Sequence, residues 1–280
     1  MLSSRFLLVI EPLRYRQQIL TYTYQVCIVT GANSGVGKEV TQILYAKNAK
    51  VYLAARSEEK TLEAIESIKA TVPNSSGELI YLRLDLADLT TIKASAQEFL
   101  EKETKLHVLF NNAGVGYPKQ GSKTKQGYEL QLGVNCVGPF LFTRLLTPVL
   151  ITTAKTFQSN SVRVVWASSS AAEGTSPSNF MDNLDYHKDQ SSFNKYCTSK
   201  IGNYFHSTEF AARHKADGII SVSLNPGNLD SDFWRTQGRI VTWILRHTVL
   251  YAPIFGAYTN LFAAFSPDVT IEKTGSFSEH

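Results

Sequence analysis

The chain has 280 residues, 43% of them hydrophobic and 19% charged, with a formal net charge of +4. That balance suits one globular α/β domain, and a small, dispersed positive charge without a basic run interleaved with aromatics argues against nucleic-acid binding. Its three cysteines, Cys27, Cys136 and Cys197, lie far apart and offer neither a disulfide framework nor a zinc site, which fits a reducing, cytoplasmic setting.

Residues 1–24 read as an N-terminal arm. The apolar stretch 6–10 is too short to span a bilayer and is stopped by Glu11-Pro12. Ser3, Ser4, Arg5, Arg14 and Arg16 leave organelle targeting open as an alternative. The domain proper starts at residue 25, where the apolar run 26–29 predicts a buried strand. Thr30-Gly31-Ala32-Asn33-Ser34-Gly35-Val36-Gly37 follows, and then 38–47, in which Val40, Ile43, Leu44 and Lys47 fall at helical spacing. Strand, glycine turn and helix in that order form the setting in which a helix N-terminus receives a pyrophosphate. The glycines allow backbone to approach the phosphates and the helix to pack on the strand. Taken alone, the same turn is compatible with a tight connection that holds no ligand.

Further strands are predicted at 50–54, 79–84, 107–110, 162–167 and 219–224, with helices at 58–71, 89–104, 128–151 and 193–214. Regular alternation predicts a parallel sheet of six to seven strands with helices on both faces, a single doubly wound Rossmann domain over 25–280. Ligands on such sheets bind beyond the strand C-termini. Each predicted strand end carries a polar or turn-forming group there: Gly31, Arg56, Asp85, Asn111-Asn112-Ala113-Gly114, Ser168-Ser169 and Pro226-Gly227.

In the run Tyr196-Cys197-Thr198-Ser199-Lys200, a phenol and an ammonium are four residues apart and share one helix face. A free tyrosine titrates near ~10, and a neighbouring cation favours the phenolate, so Lys200 is expected to lower the Tyr196 pKa into a range useful for proton transfer. The same spacing also arises by chance on solvated helices. The stretch 240–265 reads as the only long apolar segment. Arg246, His247 and Pro253 interrupt it, which leaves a membrane-resting surface open rather than a span. His187, His206 and His214 lack metal-ligand spacing, so no metal site is expected. Cys136 and Cys197 read as small packing residues, and Lys119, Lys123 and Lys125 as a solvated loop.

Together, Thr30-Gly31-x-x-x-Gly35-x-Gly37, Asn-Asn-Ala-Gly at 111–114, Ser168-Ser169, Tyr196-x-x-x-Lys200 and Pro226-Gly227 resemble the short-chain dehydrogenase/reductase family over residues 25–275. Within it the chain is most similar to the retinol-dehydrogenase-like branch, including fungal members that act on secondary metabolites. Arg56-Ser57 with Lys60, the long interval 169–196 and Asn225-Pro226-Gly227-Asn228-Leu229 carry that likeness. The resemblance implies a catalytic set of Asn135, Ser169, Tyr196 and Lys200. Tyr196 would exchange a proton with the substrate oxygen and Ser169 would hydrogen-bond that oxygen. Lys200 would tune the tyrosine and bind the nicotinamide ribose, and Asn135 would anchor a water. Since Ser168, Ser169 and Ser170 are contiguous, the serine register is open by one, and the family pattern selects the middle position.

For the cofactor, the resemblance puts the phosphates at Gly31, Ser34, Gly35, Val36 and Gly37, the adenosine near Asp85 and Asn112, and a hydroxyl contact at Ser231. No acid precedes Glu58 after the second strand, and the Arg56 guanidinium suits a 2′-phosphate, so NADP(H) is expected. Alternatively Arg56 merely opens a surface helix. The family's substrate lid would cover about 228–255. Its Phe233, Trp234, Trp243, Ile244, Leu245, Tyr251 and Phe255 suggest a small apolar alcohol or ketone, retinoid-, steroid-, polyketide- or terpenoid-like, although some of these side chains would simply pack the lid down. The implied activity is an NADP(H)-dependent interconversion of alcohol and carbonyl. A nucleotide-binding regulator without catalysis and an epimerase or dehydratase stand as alternatives. The intact four-residue set argues against the first, and the shortness of the chain against the second. Two departures from the family stand out: Tyr22-Thr23-Tyr24-Gln25 leads into the first strand, and the chain stops where a seventh strand would be short or absent. A homodimer remains open.

Overall fold

The computed structural model describes residues 25–174, 181–230, 243 and 247–279. The expected arm at 1–24, Ser231 and most of the expected lid lie outside the described residues. One parallel sheet is built from β1 (Val26–Thr30), β2 (Lys50–Ala55), β3 (Glu78–Arg83), β4 (Val108–Asn111), β5 (Arg163–Ala167), β6 (Ile220–Asn225) and β7 (Phe277–Glu279), in the spatial order β3-β2-β1-β4-β5-β6-β7. The helices are α1 (Gly35–Ala46), α2 (Glu58–Thr71), α3 (Leu89–Lys102), α4 (Leu130–Thr156), α5 (Ser192–His214) and α6 (Pro253–Phe265). This is a doubly wound Rossmann fold.

The strands are continuous apolar runs because helices cover both faces of the sheet. Every position of β1, β4 and β5 is buried. Successive side chains alternate between two separate cores, as a period of two requires. Cys27, Val29, Val51 and Leu53 pack with Val40 and Leu44 of α1 and Ala257 and Leu261 of α6. Ile28, Tyr52, Leu109 and Val164 pack on the other face with Phe99 of α3 and Phe142, Leu146 and Leu150 of α4.

Two features depart from the sequence reading. First, α6 had no predicted counterpart. It starts at a proline, which is tolerated in the first helical turn, and its apolar residues Ala257, Leu261, Ala263 and Ala264 are buried in the core. The apolar character of that end of 240–265 thus reflects interior packing. Second, 240–265 is not the only long apolar stretch. By length and composition α4 could cross a membrane, yet most of it is buried inside the domain, as in the core helix of a globular fold. The seventh strand, expected to be short or absent, is present as a three-residue β7, with Ser223 opposite Phe277 and Asn225 opposite Glu279.

Arg163 ties β5 to the end of α6. The residue is buried, and its guanidinium donates to the carbonyls of Ala263 and Ser266, each at 3.0 Å, and of Asn160 at 3.1 Å. Carbonyls at a helix C-terminus have no intrahelical donor, so this one side chain satisfies groups that would otherwise be buried without partners. Arg163→Met should therefore lower the unfolding free energy by about 2–4 kcal/mol. Urea denaturation measures this, and an unchanged midpoint would contradict the assignment.

Candidate active site

From β1 the chain winds outward through β2 and β3, then returns to place β4 on the other side of β1. At such a reversal the flanking helices leave on opposite faces and open a crevice beyond the strand C-termini. One hydroxyl holds its two walls together. Thr30 Oγ1 donates to the Phe110 carbonyl at 3.1 Å and accepts from the backbone N–H groups of Asn112 at 3.0 Å and Ala113 at 2.9 Å. The Asn112 side-chain amide donates to the Thr30 carbonyl at 3.0 Å.

The glycine turn sits against this staple. Gly31 has φ +67° and Gly35 φ +52°, in the left-handed region that favours glycine. A Cβ on Gly37 would lie 2.5 Å from the Gly31 carbonyl oxygen and 2.7 Å from Asn112 Nδ2, so only glycine lets α1 come this close. The helices α2, α3 and α5 are capped by the side chains of Ser57, Asp88 and Ser191. In α1, by contrast, Ser34 makes no side-chain cap and the first turn, which includes Val36, has no acidic residue. The N–H groups and positive dipole end of α1 are thereby left to an external anion. Arg56 follows β2, is exposed, and forms no ion pair among the described residues. Asp85 follows β3, where Oδ1 accepts from the Ala87 N–H at 2.9 Å and closes a turn. Gly31, Ser34, Gly35, Val36, Gly37, Arg56, Asp85 and Asn112 thus all lie at the same edge of the sheet, and a dinucleotide fits the donor set.

The four predicted catalytic residues occupy the same side. Asn135 lies in a π-helical turn, Gly133–Val137, inside α4, and is fully buried. Its Oδ1 accepts from the Val115 N–H at 2.7 Å, and its Nδ2 donates to the Val115 carbonyl at 2.9 Å and to Ser199 Oγ at 3.0 Å. Ser199 in turn donates to the Tyr196 carbonyl at 2.8 Å. Lys200 Nζ donates to the Ala167 carbonyl at 2.8 Å. A Cβ built on Gly114 would be 3.4 Å from Asn135 Oδ1 and 3.5 Å from Lys200 Nζ, so this exposed glycine lies directly against both buried groups. The contiguous serines separate by contact. Ser168 is buried and donates to the Lys200 carbonyl at 2.7 Å, whereas Ser169 hydrogen-bonds the Tyr196 phenol and accepts from the Ala171 N–H at 3.1 Å.

Burial dominates the electrostatics of the pair. It pushes the Tyr196 phenol well above its ordinary value, and the hydrogen bond from Ser169 only partly opposes it. Burial also lowers Lys200 to about 8. The expectation that Lys200 lowers the tyrosine pKa is corrected here: the ammonium sits 5.8 Å from the ring centroid and bonds the Ala167 carbonyl, so desolvation outweighs its attraction. Cys136 is likewise pushed up to about 12 by burial. Several participants were not singled out by sequence: the Thr30 hydroxyl, Gly114, Gln131, Ser199 and Asn203, whose amide donates to the same Ala167 carbonyl as Lys200, at 3.1 Å. Thr30, Gly114 and Ser199 fall inside the quoted motifs, while Gln131 and Asn203 carry no local signal.

A family model described as short chain dehydrogenase matches residues 25–181. A short-chain dehydrogenase/reductase of Phomopsis amygdali is 56% identical over 251 residues, covering 89% of this chain and 75% of that protein. The short-chain dehydrogenase/reductase sthC of Phaeosphaeria nodorum is 46% identical over 280 residues, covering 96% and 88%. Among solved structures, the Pseudomonas aeruginosa RhlG/NADP active-site complex superposes with a TM-score of 0.72 at 20% identity, covering 92% of this chain and 95% of that one.

The lowered Lys200 pKa carries a stability consequence. Below about 8 its ammonium is buried charged, at a cost; above that value the folded chain can hold it neutral while the unfolded chain, with the ordinary value of 10.5, still binds the proton. Lys200→Met should therefore be more stable than the parent by up to about 3 kcal/mol at pH 7, and that gap should narrow between pH 8 and 10.5. Urea titrations of both proteins across this range measure the difference, and a gap that widened with pH would refute the assignment.

Proposed function

The chain belongs to the short-chain dehydrogenase family and is an oxidoreductase, and on that premise we propose that it interconverts an alcohol and a carbonyl on an apolar substrate with NADP(H). The observation carrying this reading is the meeting of the Tyr196 phenol, the Ser169 hydroxyl and the Lys200 ammonium on the crevice side of the sheet.

When bound, the nicotinamide supplies the two-electron exchange at the substrate carbon. Tyr196 then supplies the proton. Burial keeps the phenol protonated near neutral pH, the form needed to donate to a carbonyl oxygen. The phenolate left behind is stabilised by the Lys200 ammonium, which keeps most of its charge at neutral pH because its pKa is about 8. In the oxidative direction the same phenolate accepts the alcohol proton. Ser169 donates to the substrate oxygen and fixes its distance from Tyr196. Asn135 holds the turn at Val115 and, through Ser199, the first part of α5, so that loop and helix keep their spacing.

Exposed Arg56, with no acid before Glu58, supports NADP(H) over NAD(H), since a guanidinium pairs with a 2′-phosphate through two hydrogen bonds. Ser231 is proposed to meet the carboxamide or a phosphate. Arg56-Ser57 with Lys60, the long interval 169–196 and the Asn225–Leu229 run support a place in the retinol-dehydrogenase-like branch. For the substrate, the described part of the lid exposes Trp243, Tyr251 and Phe255, and its base is pinned where the Asp230 N–H donates to the Tyr251 carbonyl and the Tyr251 N–H to the Asn228 carbonyl, both at 2.8 Å. Aromatics exposed on a pinned strap suit a ring-bearing apolar ligand. With fungal relatives at 46–56% identity, a fungal secondary metabolite is the substrate we propose.

Two measurements test this. Tyr196→Phe should retain NADPH affinity within about threefold while turnover on apolar ketones drops by about 10²–10⁴-fold, the worth of a positioned proton donor; residual turnover near the parental rate would rule out the role. In fluorescence titrations the parent should bind NADPH more tightly than NADH, and Arg56→Ala should shrink that ratio by about tenfold, consistent with the loss of a charge-assisted hydrogen bond. Tighter binding of NADH by the parent would overturn the cofactor assignment.

A further inference from the structure

Tyr117 is the least comfortable residue near the crevice. Its φ of +49° lies in the left-handed region, uncommon for any residue with a Cβ and an outlier for a bulky one. Such a conformation persists only where its surroundings over-determine it. Here they do so from both sides. Gln131, fully buried in the first turn of α4, accepts from the Tyr117 N–H at 3.1 Å and donates to the Ser192 carbonyl at the start of α5 at 3.0 Å. Two residues before Tyr117, Val115 is held by Asn135 through both its N–H and its carbonyl. Three residues after it, Gln120 donates to Asp189 at 3.1 Å, and Asp189 also binds Lys195, beside Tyr196, at 2.6 Å. The loop 115–120 is thus fastened to α4 and α5 rather than left to find its own conformation.

The outcome of this fastening is a defined ring position. The Tyr117 and Tyr196 rings stack with centroids 5.9 Å apart and planes 25° from parallel. We infer that Tyr117 is a substrate-positioning and specificity-determining residue, an aromatic wall beside Tyr196 that favours alcohols and ketones bearing a planar, conjugated group next to the reacting carbon. This rests on the reading of Tyr196 as the proton donor. With the two rings this close, a substrate oxygen held by the Tyr196 and Ser169 hydroxyls would bring a substituent past the Tyr117 ring. A flat π-system can stack there at the spacing aromatic pairs prefer, whereas a saturated ring of equal size presents axial hydrogens and loses that contact. Because the loop is fixed beforehand, little ordering cost opposes the contact.

The test is calorimetric and needs no turnover. NADP⁺-saturated protein is titrated with acetophenone and with cyclohexyl methyl ketone, which differ in ring planarity at nearly constant size. The parent should bind acetophenone about tenfold more tightly, equivalent to about 1.4 kcal/mol. Tyr117→Phe, which keeps the ring, should preserve the preference, whereas Tyr117→Leu should reduce it to about onefold with NADP⁺ affinity unchanged. The inference is overturned if the parent binds both ketones equally or binds neither, if Tyr117→Leu keeps the preference, or if Tyr117→Phe loses it. The Tyr196→Phe turnover measurement judges the catalytic reading separately, so failure of one leaves the other standing.

Discussion

A single threonine hydroxyl sets the geometry on which the crevice depends. Thr30 Oγ1 takes part in three hydrogen bonds, two as acceptor and one as donor, and all three lead to residues at the end of β4. Side-chain stiffness at a β-branched residue makes that hydroxyl a fixed point. From it the spacing passes outward by short steps. Asn112 lies against Gly37 and keeps α1 close to the turn. Ala113 leads through Gly114 to Val115, which Asn135 holds by both backbone groups. Asn135 then reaches Ser199, and Ser199 the Tyr196 carbonyl. The glycine turn and the tyrosine are far apart in sequence, yet this one hydrogen-bonded path sets the distance between them.

Two of the buried cations among the described residues, Arg163 and Lys200, show what burial does when partners differ. The Arg163 guanidinium is met by three carbonyls and fastens a helix end. Lys200 Nζ donates to the Ala167 carbonyl and lies against Gly114, and burial leaves its proton weakly held. An ammonium with fewer partners is a poor structural element and a useful electrostatic one, because its charge remains available to a neighbour that develops negative charge. Tyr196 is subject to the same desolvation, with the opposite effect on its pKa: burial favours its neutral form. The pair therefore holds a protonated phenol beside a cation at neutral pH, at some cost to fold stability.

Strain at Tyr117 belongs to the same pattern. The conformation is maintained by Gln131, itself buried and spending its amide on two distant backbone groups. Fixed aromatic geometry next to a proton-transfer group is a means of selecting substrates without a dedicated hydrogen-bonding partner for each.

Local signals in the sequence determined the fold class and most of the site. Apolar runs of strand length separated by helical periodicity define an alternating α/β chain, the glycine turn lies within eight residues, and Tyr196 and Lys200 are related by one helical turn, so proximity follows from chain geometry alone. The sequence could not fix the sign of the tyrosine's pKa shift, because desolvation depends on everything packed around the phenol and not on the residue four positions away. Nor could it reveal α6 as core, since the apolar pattern of 253–265 is the same whether lipid or α1 covers it. Gln131 and Asn203 were silent for a related reason: an amide acquires its role only when folding brings a distant backbone group within hydrogen-bonding range. Tertiary structure decided these because burial and long-range hydrogen bonding are properties of the assembled chain.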